Sequence, residues 1–256
     1  RVGDMDILTA VGMHQHREKG IRVVAIGGGT GVSTLLRGLK QETANITAIV
    51  NISDDGGSSG RLREEFGMPP PGDARNCLVA LSEAEPIMEE LFHYRFNTNS
   101  PLNGHSLGNL LIAALSEKEG GLQAGLEAAA KLLALSGRVV PISNSGSIVL
   151  MGESAAGEIL VGESAVGNSS APLMRVWIEP SNAVPSDVAL EAINQAELIV
   201  IGPGSLYTSI IPNFLVAGVA EAVSSASVPK VFVCNVATQP CETDGYGVGD
   251  HLRVFI

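Results

Sequence analysis

Residues 21–36 read IRVVAIGGGTGVSTLL, and the fold is decided by this stretch. Its first part, 21–26, is a continuous apolar, β-branched run, which predicts a strand buried on both faces, as in a parallel sheet. A glycine turn follows, and then the helical pattern VSTLLRGLK from residue 32. Strand, glycine turn and helix in this order predict one unit of a doubly wound α/β sheet.

The same strand character returns further along the chain. NITAIVNI at 45–52, AELIVIGPGS at 196–205 and VPKVFVCNVATQP at 228–240 each join a buried strand to a polar or glycine-rich turn. We therefore predict an α/β fold, Rossmann-like and doubly wound, with a mainly parallel sheet and helices on both faces. The spacing in SLGNLLIAALSE predicts a helix with Ser106 as its N-cap.

The middle of the chain has a different character. Four short strand-like runs, separated by Gly, Ser and Asn, predict a small inserted β-hairpin region; they are RVVPIS (138–143), SIVLMG (147–152), EILVGE (158–163) and LMRVWIEP (173–180). We expect residues 1–20 to form a tail or a short helix, and residues 21–256 to form a single domain. The apolar ending RVFI predicts a C-terminus that is truncated.

Composition excludes several classes of function. The chain has 256 residues, 45% of them hydrophobic, and a formal net charge of −11. An acidic chain with 4% aromatic residues disfavours nucleic acid as a partner. Three cysteines without a CxxC pair favour a reducing cytoplasm, and no apolar run approaches the length of a membrane span.

The first candidate site is the glycine turn after residue 26. Gly28, Gly29, Thr30 and Gly31 could cradle a phosphate at the start of the following helix. The turn has Val32 where GxGxxG has its third glycine, and it lacks GK[ST], so we expect neither NAD nor a flavin as redox cofactor. The alternative is a glycine turn that only packs the helix against the strand.

The second candidate site lies in NISDDGGSSGRLREEFGMPPPGDARN, residues 51–76. Its carboxylates are candidate ligands for Mg²⁺, and its arginines and asparagine are candidate phosphate contacts. The carboxylates are Asp54, Asp55 and Asp73, and the phosphate contacts are Arg61, Arg75 and Asn76. Two alternatives stay open: Asp73 as an ordinary helix N-cap, and the Asp54–Asp55 pair as a solvated turn or an Asx-turn on Gly56.

Three further stretches carry candidate ligand contacts. GHSLGN places two polar side chains at the first turn of a helix, and IGPGSLYTS and CNVATQPCETDGY follow buried strands. The candidates are His105, Asn109, Gly202, Gly204, Ser205, Tyr207, Thr238, Gln239 and Tyr246. For His105 the alternative is a structural hydrogen bond.

Taken together, these motifs resemble one family. GGGTG, DDGGSSGRLR, PPGDARN, GHSLGN, GPGSLYTSIIPN and TQPCETDGY occur in the order and spacing of the gluconeogenesis factor family, also called YvcK-like, from about residue 22 onward. That family is related to the 2-phospho-L-lactate transferases, or CofD proteins. Cys241 is a departure, because the family usually has glycine there.

The resemblance implies a Rossmann-like core that binds a nucleotide diphosphate. It implies binding of UDP-N-acetylglucosamine without established catalysis, a role in carbon metabolism and cell-shape or envelope control, and a nucleotide-sugar contact for Tyr246. It implies that acids at Asp54 or Asp55 and at Asp73 hold a divalent metal. We also expect a cytoplasmic protein that forms a homo-oligomer, a dimer.

Several functions stay open on the sequence alone. The first is a regulator that senses a UDP-sugar. The alternative is a Mg²⁺-dependent 2-phospho-L-lactate transferase that uses a guanosine diphosphate donor, with catalytic residues unknown. An unrelated sugar-nucleotide enzyme and an interaction scaffold are further possibilities. The shortage of aromatic residues disfavours a deazaflavin acceptor site, which would need a broad apolar wall.

Overall fold

A computed structural model describes residues 15–84, 86–146 and 148–255. Its centre is a five-stranded, entirely parallel sheet in the order β3-β2-β1-β7-β8. The strands are β1 (Val23–Gly27), β2 (Ile46–Val50), β3 (Arg138–Pro141), β7 (Leu198–Ile201) and β8 (Lys230–Phe232). The chain builds outward from β1 in both directions, so the strand order reverses between β1 and β7. That reversal is the point at which doubly wound sheets bind ligands.

Helices cover the sheet on both faces. Every residue of β1 and of β2 is buried, although successive side chains of a strand point to opposite faces. The helices are α1 (Gly29–Glu42), α2 (Gly57–Phe66), α3 (Gly72–Leu81), α4 (Pro86–His93), α5 (Leu107–Glu119), α6 (Leu122–Leu132), α7 (Glu163–Gly167), α8 (Asp187–Gln195), α9 (Ile211–Leu215), α10 (Val219–Ser225) and α11 (Val248–Phe255), with a π-helical turn at Leu206–Ile210. The predicted fold class is confirmed. So is the N-cap, because Ser106 accepts the Asn109 N–H at 3.4 Å.

The inserted region is a separate antiparallel sheet of three strands. It contains β4 (Val149–Ser154), β5 (Ile159–Val161) and β6 (Leu173–Glu179), in the order β5-β4-β6. The prediction that RVVPIS belongs to this region is wrong, because β3 pairs in parallel with β2 at the edge of the main sheet. The run is short, so its sequence alone does not distinguish an edge strand that follows a crossover helix from a hairpin strand.

The two ends of the chain add little to this picture. Most of the predicted tail or short helix at 1–20 lies outside the described residues. Within the described part of that range, residues 15–18 are helical.

Among the described helices, none is by itself long and apolar enough to cross a membrane. The bent pair Leu206–Leu215 and Val219–Ser225 passes that test on length and composition alone.

Candidate functional site

A cleft of about 330 Å³ opens where β1 and β2 end, and it collects both acidic and basic side chains. We call it the carboxylate–arginine cleft. Its lining residues are Thr30, Asp54, Gly56, Gly57, Ser58, Ser59, Gly72, Asp73, Arg75, Asn76, Arg95, Asn109 and Glu163. The structure therefore brings together six residues proposed from the sequence: Thr30, Asp54, Asp73, Arg75, Asn76 and Asn109.

One carboxylate oxygen of Asp54 is hydrogen-bonded within a turn, and the other faces the cleft. Its Oδ1 accepts the Gly56 N–H at 2.9 Å, which is the Asx-turn left open by the sequence. Its Oδ2 faces Gly72, where an added Cβ would lie 2.9 Å away from it and even closer to the Ser59 hydroxyl. Glycine at position 72 therefore lets α3 begin beside the carboxylate.

Asp73 lies against the N-terminal end of α1. The Gly29 N–H donates to its carboxyl group, so a side chain of this protein occupies the position that the sequence suggested for a phosphate. Burial, and next the nearby Asp54 carboxylate, raise the pKa of Asp73 to about 7, against the opposing effects of Gly29 and Arg75. The carboxyl group is thus poised to ionise when a cation arrives.

Glu163 is a third cleft carboxylate, and sequence reasoning missed it. It is the first residue of α7, in the inserted region, and its Oε2 accepts the Ser53 hydroxyl at 2.9 Å. Burial, followed by the charges of Asp73 and Asp54, raises its pKa. It lies 110 residues from Ser53 in the chain, so only the fold brings it to the site.

Two guanidinium groups face these acids. Arg75 is 7% exposed, and it donates to Asn109 Oδ1 at 3.0 Å and to Asn76 Oδ1 at 2.7 Å. Its buried Nε is without a hydrogen-bond partner in the described part of the chain. Arg95, which the sequence analysis also missed, is exposed, and its Nη1 donates to the Gly104 carbonyl at 3.0 Å. Burial, and next the charge of Arg95, lower the pKa of Arg75, so an anion between them would be stabilising.

The donor set fits a magnesium ion that is shared with a ligand. Over the described ranges, no group of three or more His, Cys, Asp or Glu side chains forms a complete metal site. Mg²⁺, however, keeps several waters and commonly takes only one or two carboxylates together with phosphate oxygens. A cation beside Asp54 and Asp73 would also offset the Asp54 charge, which adds to the effect of burial in raising the pKa of Asp73. The metal stays a prediction.

Asp55 and Arg61 are engaged away from the cleft. Asp55 Oδ1 accepts the Ser164 N–H at 2.8 Å, where it stabilises the start of α7. Arg61 donates to the carbonyls of Pro101, at 3.2 Å, and Asn103, at 2.7 Å. Neither side chain is among those that line the cleft, because each is held by another segment.

His105 lies behind the cleft wall. It is 4% exposed, and its Nδ1 is 3.1 Å from the Ser58 hydroxyl. This is the structural hydrogen bond that the sequence analysis kept as the alternative. Burial, and next the Arg61 charge, lower the pKa of this imidazole.

The glycine turns after β1 and β7 meet at the switch point. A Cβ on Gly31 would lie within 3 Å of the Pro203 carbonyl group, and a Cβ on Gly28 would lie 2.7 Å from Ser209 Cβ. A Cβ on Gly29 would meet Asp73. These glycines are therefore required for close packing, whether or not a phosphate also approaches them.

The remaining predicted contacts form a second group beside the Gly202–Ser205 turn, outside the lining of the cleft. Glu242 is buried, and its side chain accepts hydrogen bonds from the Ser205 hydroxyl and the Tyr207 N–H. These bonds hold the 235–246 loop against the π-helical turn. Further contacts join the Tyr207 and Tyr246 hydroxyls at 2.9 Å and the Gln239 N–H to Thr243 Oγ1 at 2.8 Å. Asn235 contacts both the N–H and the carbonyl of Gly204, and Thr238 is exposed.

A larger cavity, of about 840 Å³, lies at the C-terminal end of α2. Its lining includes Glu65, Glu117 and Glu127 but no Lys, Arg or His among the described residues. A ligand that carries phosphates would be repelled there. The smaller cleft is therefore the better candidate for an anionic ligand, because, unlike the larger cavity, it combines arginines with carboxylates.

The fold and the cleft define a class: an α/β protein with a cleft of arginines and carboxylates at the ends of two neighbouring parallel strands. Comparison with known proteins gives the family. The family described as 2-phospho-L-lactate transferase CofD matches residues 23–256. The chain belongs to this CofD family, and its similar relatives are gluconeogenesis factors.

Two of these relatives are described as "Gluconeogenesis factor". The one from Halalkalibacterium halodurans is 52% identical over 91% of this chain and 72% of its own length. The one from Bacillus subtilis is 47% identical over 91% of this chain and 74% of its own length. A relative from Nostoc sp. is 49% identical, and this chain spans only 54% of that protein.

A solved structure shows the same fold. The crystal structure of a protein from Bacillus halodurans superimposes with a TM-score of 0.89 at 51% identity. The match covers 93% of this chain and 76% of that protein. The relationship therefore extends to nearly all of the fold described above.

Proposed function

We propose that the chain is a regulatory protein that binds a nucleotide sugar, UDP-N-acetylglucosamine, in the carboxylate–arginine cleft together with Mg²⁺. The observation that carries the proposal is the meeting of three carboxyl groups and two guanidinium groups in one cleft at the ends of β1 and β2. A magnesium diphosphate has both the positive and the negative charge that such a lining can bind.

The arrangement of the cleft suggests how the ligand would lie. A volume of about 330 Å³ is enough for a diphosphate and its cation, but the rest of the nucleotide sugar would extend beyond it. Asp54 and Asp73 would hold the cation, and Arg75 and Arg95 would contact the diphosphate. The nucleoside would extend across the switch point toward Ser205, beside the loop that carries Tyr246.

The physiological side of the proposal follows the relatives. Their printed description is gluconeogenesis factor, and the chain matches them over most of its described fold. We infer a role in carbon metabolism and in control of the cell envelope and shape, with the nucleotide sugar as the signal. In this account the protein is cytoplasmic and forms a homodimer.

A second candidate function is phospholactyl transfer with a guanosine diphosphate donor. The family match favours it, because that family is described as a transferase. In that case the cation would stabilise charge on the diphosphate leaving group. A residue that accepts the proton of the acceptor hydroxyl would also be needed, and Glu163, with its raised pKa, would be the candidate.

Calorimetric titration separates the two functions. UDP-N-acetylglucosamine and GDP are titrated separately, with and without Mg²⁺. The regulator predicts Mg²⁺-assisted binding of the UDP-sugar and at least tenfold weaker binding of GDP, on the order of 1.4 kcal/mol. Tighter binding of GDP would overturn the regulator and support the transferase, and binding of neither would reject both.

A further inference from the structure

We propose that His105 is a positioning residue for the carboxylate–arginine cleft, which acts through Ser58 and Asn109 on the guanidinium group of Arg75. The proposal rests on the proposed function in one respect: Arg75 is taken to contact the bound diphosphate. It assigns a role to the buried polar network behind the cleft.

Three hydrogen bonds link His105 to the cleft. The Ser58 hydroxyl lies 3.1 Å from His105 Nδ1, Asn109 Nδ2 donates to that hydroxyl at 3.2 Å, and Arg75 Nη1 donates to Asn109 Oδ1 at 3.0 Å. The four side chains are between 1% and 7% exposed. Water cannot readily replace a lost partner there, so each group depends on the orientation of the next.

Counting donors and acceptors fixes the direction of these bonds. The Ser58 oxygen accepts both the Asn109 amide and the Ser106 N–H, the latter at 3.3 Å. Both lone pairs of a hydroxyl are then used, so its own proton must go to His105 Nδ1. The imidazole is therefore neutral, with its proton on Nε2, and Asn109 must present its oxygen to Arg75.

The surroundings keep His105 neutral. Burial is the largest effect that lowers the pKa of His105; of the charged groups on α2, the Arg61 cation lowers it further and outweighs the Glu65 carboxylate, which raises it. Arg95 is bonded to the carbonyl of the preceding residue, Gly104. A proton on Nδ1 would place a third donor on Ser58, which has only two lone pairs. The Asn109 amide would then lose its bond to Ser58, and its oxygen would orient the Arg75 guanidinium less firmly, leaving the bond to Asn76 Oδ1 as the main constraint.

The test is the pH dependence of UDP-N-acetylglucosamine affinity in matched variants. His105→Asn places an amide oxygen near the position of Nδ1 and does not titrate, whereas His105→Leu offers no acceptor. We expect His105→Asn to retain affinity at about pH 8 and to lose less affinity toward about pH 5.5 than the wild type does. We expect His105→Leu to lose about tenfold at about pH 8, and the difference from the wild type to narrow toward about pH 5.5 as the wild-type imidazole gains a proton. Asp73 titrates in the same range, so the difference between variants, not the wild-type curve, reports on His105.

A double-mutant cycle tests whether the effect passes through Arg75. In an Arg75→Lys background, His105→Leu should cause little further loss, because the bond from the guanidinium group to Asn109 is already gone. Losses that simply add would show that His105 does not act through Arg75, and would overturn the proposal.

A measurement without ligand keeps the two proposals separate. Nitrogen NMR of the His105 imidazole, one of five histidines in the chain, should show the neutral form with its proton on Nε2 at pH 7. A proton on Nδ1 would contradict the network directly. If the wild type binds no nucleotide, the proposed function fails, while this spectrum still decides whether the network is as described.

Discussion

Asp73 shows most clearly how single residues set the chemistry of the cleft. It accepts from the start of α1, yet burial and the adjacent Asp54 raise its pKa to about 7. An acid whose pKa is raised in the folded state stabilises the fold below its unfolded pKa. That contribution disappears as the pH rises through the folded value. At neutral pH the fold is therefore less stable than it is at low pH with respect to this group, and the cleft presents a carboxylate that can bind a cation.

The first prediction concerns Asp73→Asn in the absence of Mg²⁺. At pH 8 the variant should unfold at a higher urea concentration than the wild type, with a free energy of unfolding that is higher by on the order of 1 kcal/mol. We expect no larger difference, because the carboxyl group borders the cleft. The difference should vanish toward pH 4, where the wild-type carboxyl is protonated. Mg²⁺-dependent ligand binding should be lost. The control is Asp55→Asn, which lies outside the cleft and should keep that binding; equal loss in both variants would reject the assignment.

The second prediction concerns Arg95, which is exposed and lines the cleft. Arg95→Ala should weaken nucleotide-sugar binding about tenfold, because a charge-assisted contact to phosphate is lost. Its midpoint of thermal unfolding should hardly change. Arg175→Ala is a matched control, since Arg175 is exposed in the inserted sheet and pairs with Glu153. Calorimetry and thermal melts on both proteins check this, and an unaltered affinity in Arg95→Ala would contradict it.

At the scale of elements, the turns after β1 and β7 approach each other closely. Of the three glycines in α1, Gly31 and Gly38 have opposite surroundings. A Cβ on Gly31 would lie within 3 Å of the Pro203 carbonyl group, whereas a Cβ on Gly38 would meet nothing within 4 Å. The first glycine is required by packing between turns, and the second is not.

The third prediction follows from this pair. Gly31→Ala should lower the free energy of unfolding by about 1–3 kcal/mol, because backbone must move to relieve the overlap. Gly38→Ala should raise it by about 0.5–1 kcal/mol, because alanine is the better helix former. Urea unfolding of both variants measures the contrast. Two changes of the same sign would contradict the described meeting of the turns.

The elements also show what the sequence could and could not predict. Apolar, β-branched runs followed by polar residues or glycine identified β1, β2 and β7, because strands buried on both faces have that composition. β3 was assigned to the wrong sheet, since pairing partners are not encoded in a run of four residues. Glu163 was missed for the same reason: its place in the cleft depends on how the inserted sheet packs.

Some of the residues proposed from the sequence line the cleft, and others are held by different segments; the chemistry assigned to them stays a prediction. Asp54, Asp73 and Arg75 reach the cleft as expected, because they flank the ends of the strands and the start of α3. Arg61, from the same motif as Asp54, and His105, from GHSLGN, turn toward other segments. Sequence proximity to a site places a side chain within about one turn of it, and does not say which way it points.

At the scale of the whole molecule, the net charge of −11 opposes the binding of an anionic ligand. Two local features of the cleft counteract this repulsion. They are the positive charges of Arg75 and Arg95, and the cation that its carboxylates attract. The larger cavity, with three glutamates and no base among its described lining residues, lacks that compensation. Binding of the nucleotide sugar should therefore require the cation more than it would in a basic protein.

The most direct test of this account is a crystal structure of the chain with UDP-N-acetylglucosamine and Mn²⁺, with the metal located by its anomalous signal. The account predicts Mn²⁺ bound between the Asp54 and Asp73 carboxylates and the diphosphate, with the guanidinium group of Arg75 in contact with a phosphate oxygen. A nucleotide seated elsewhere, or a diphosphate bound in the cleft without metal, would contradict it.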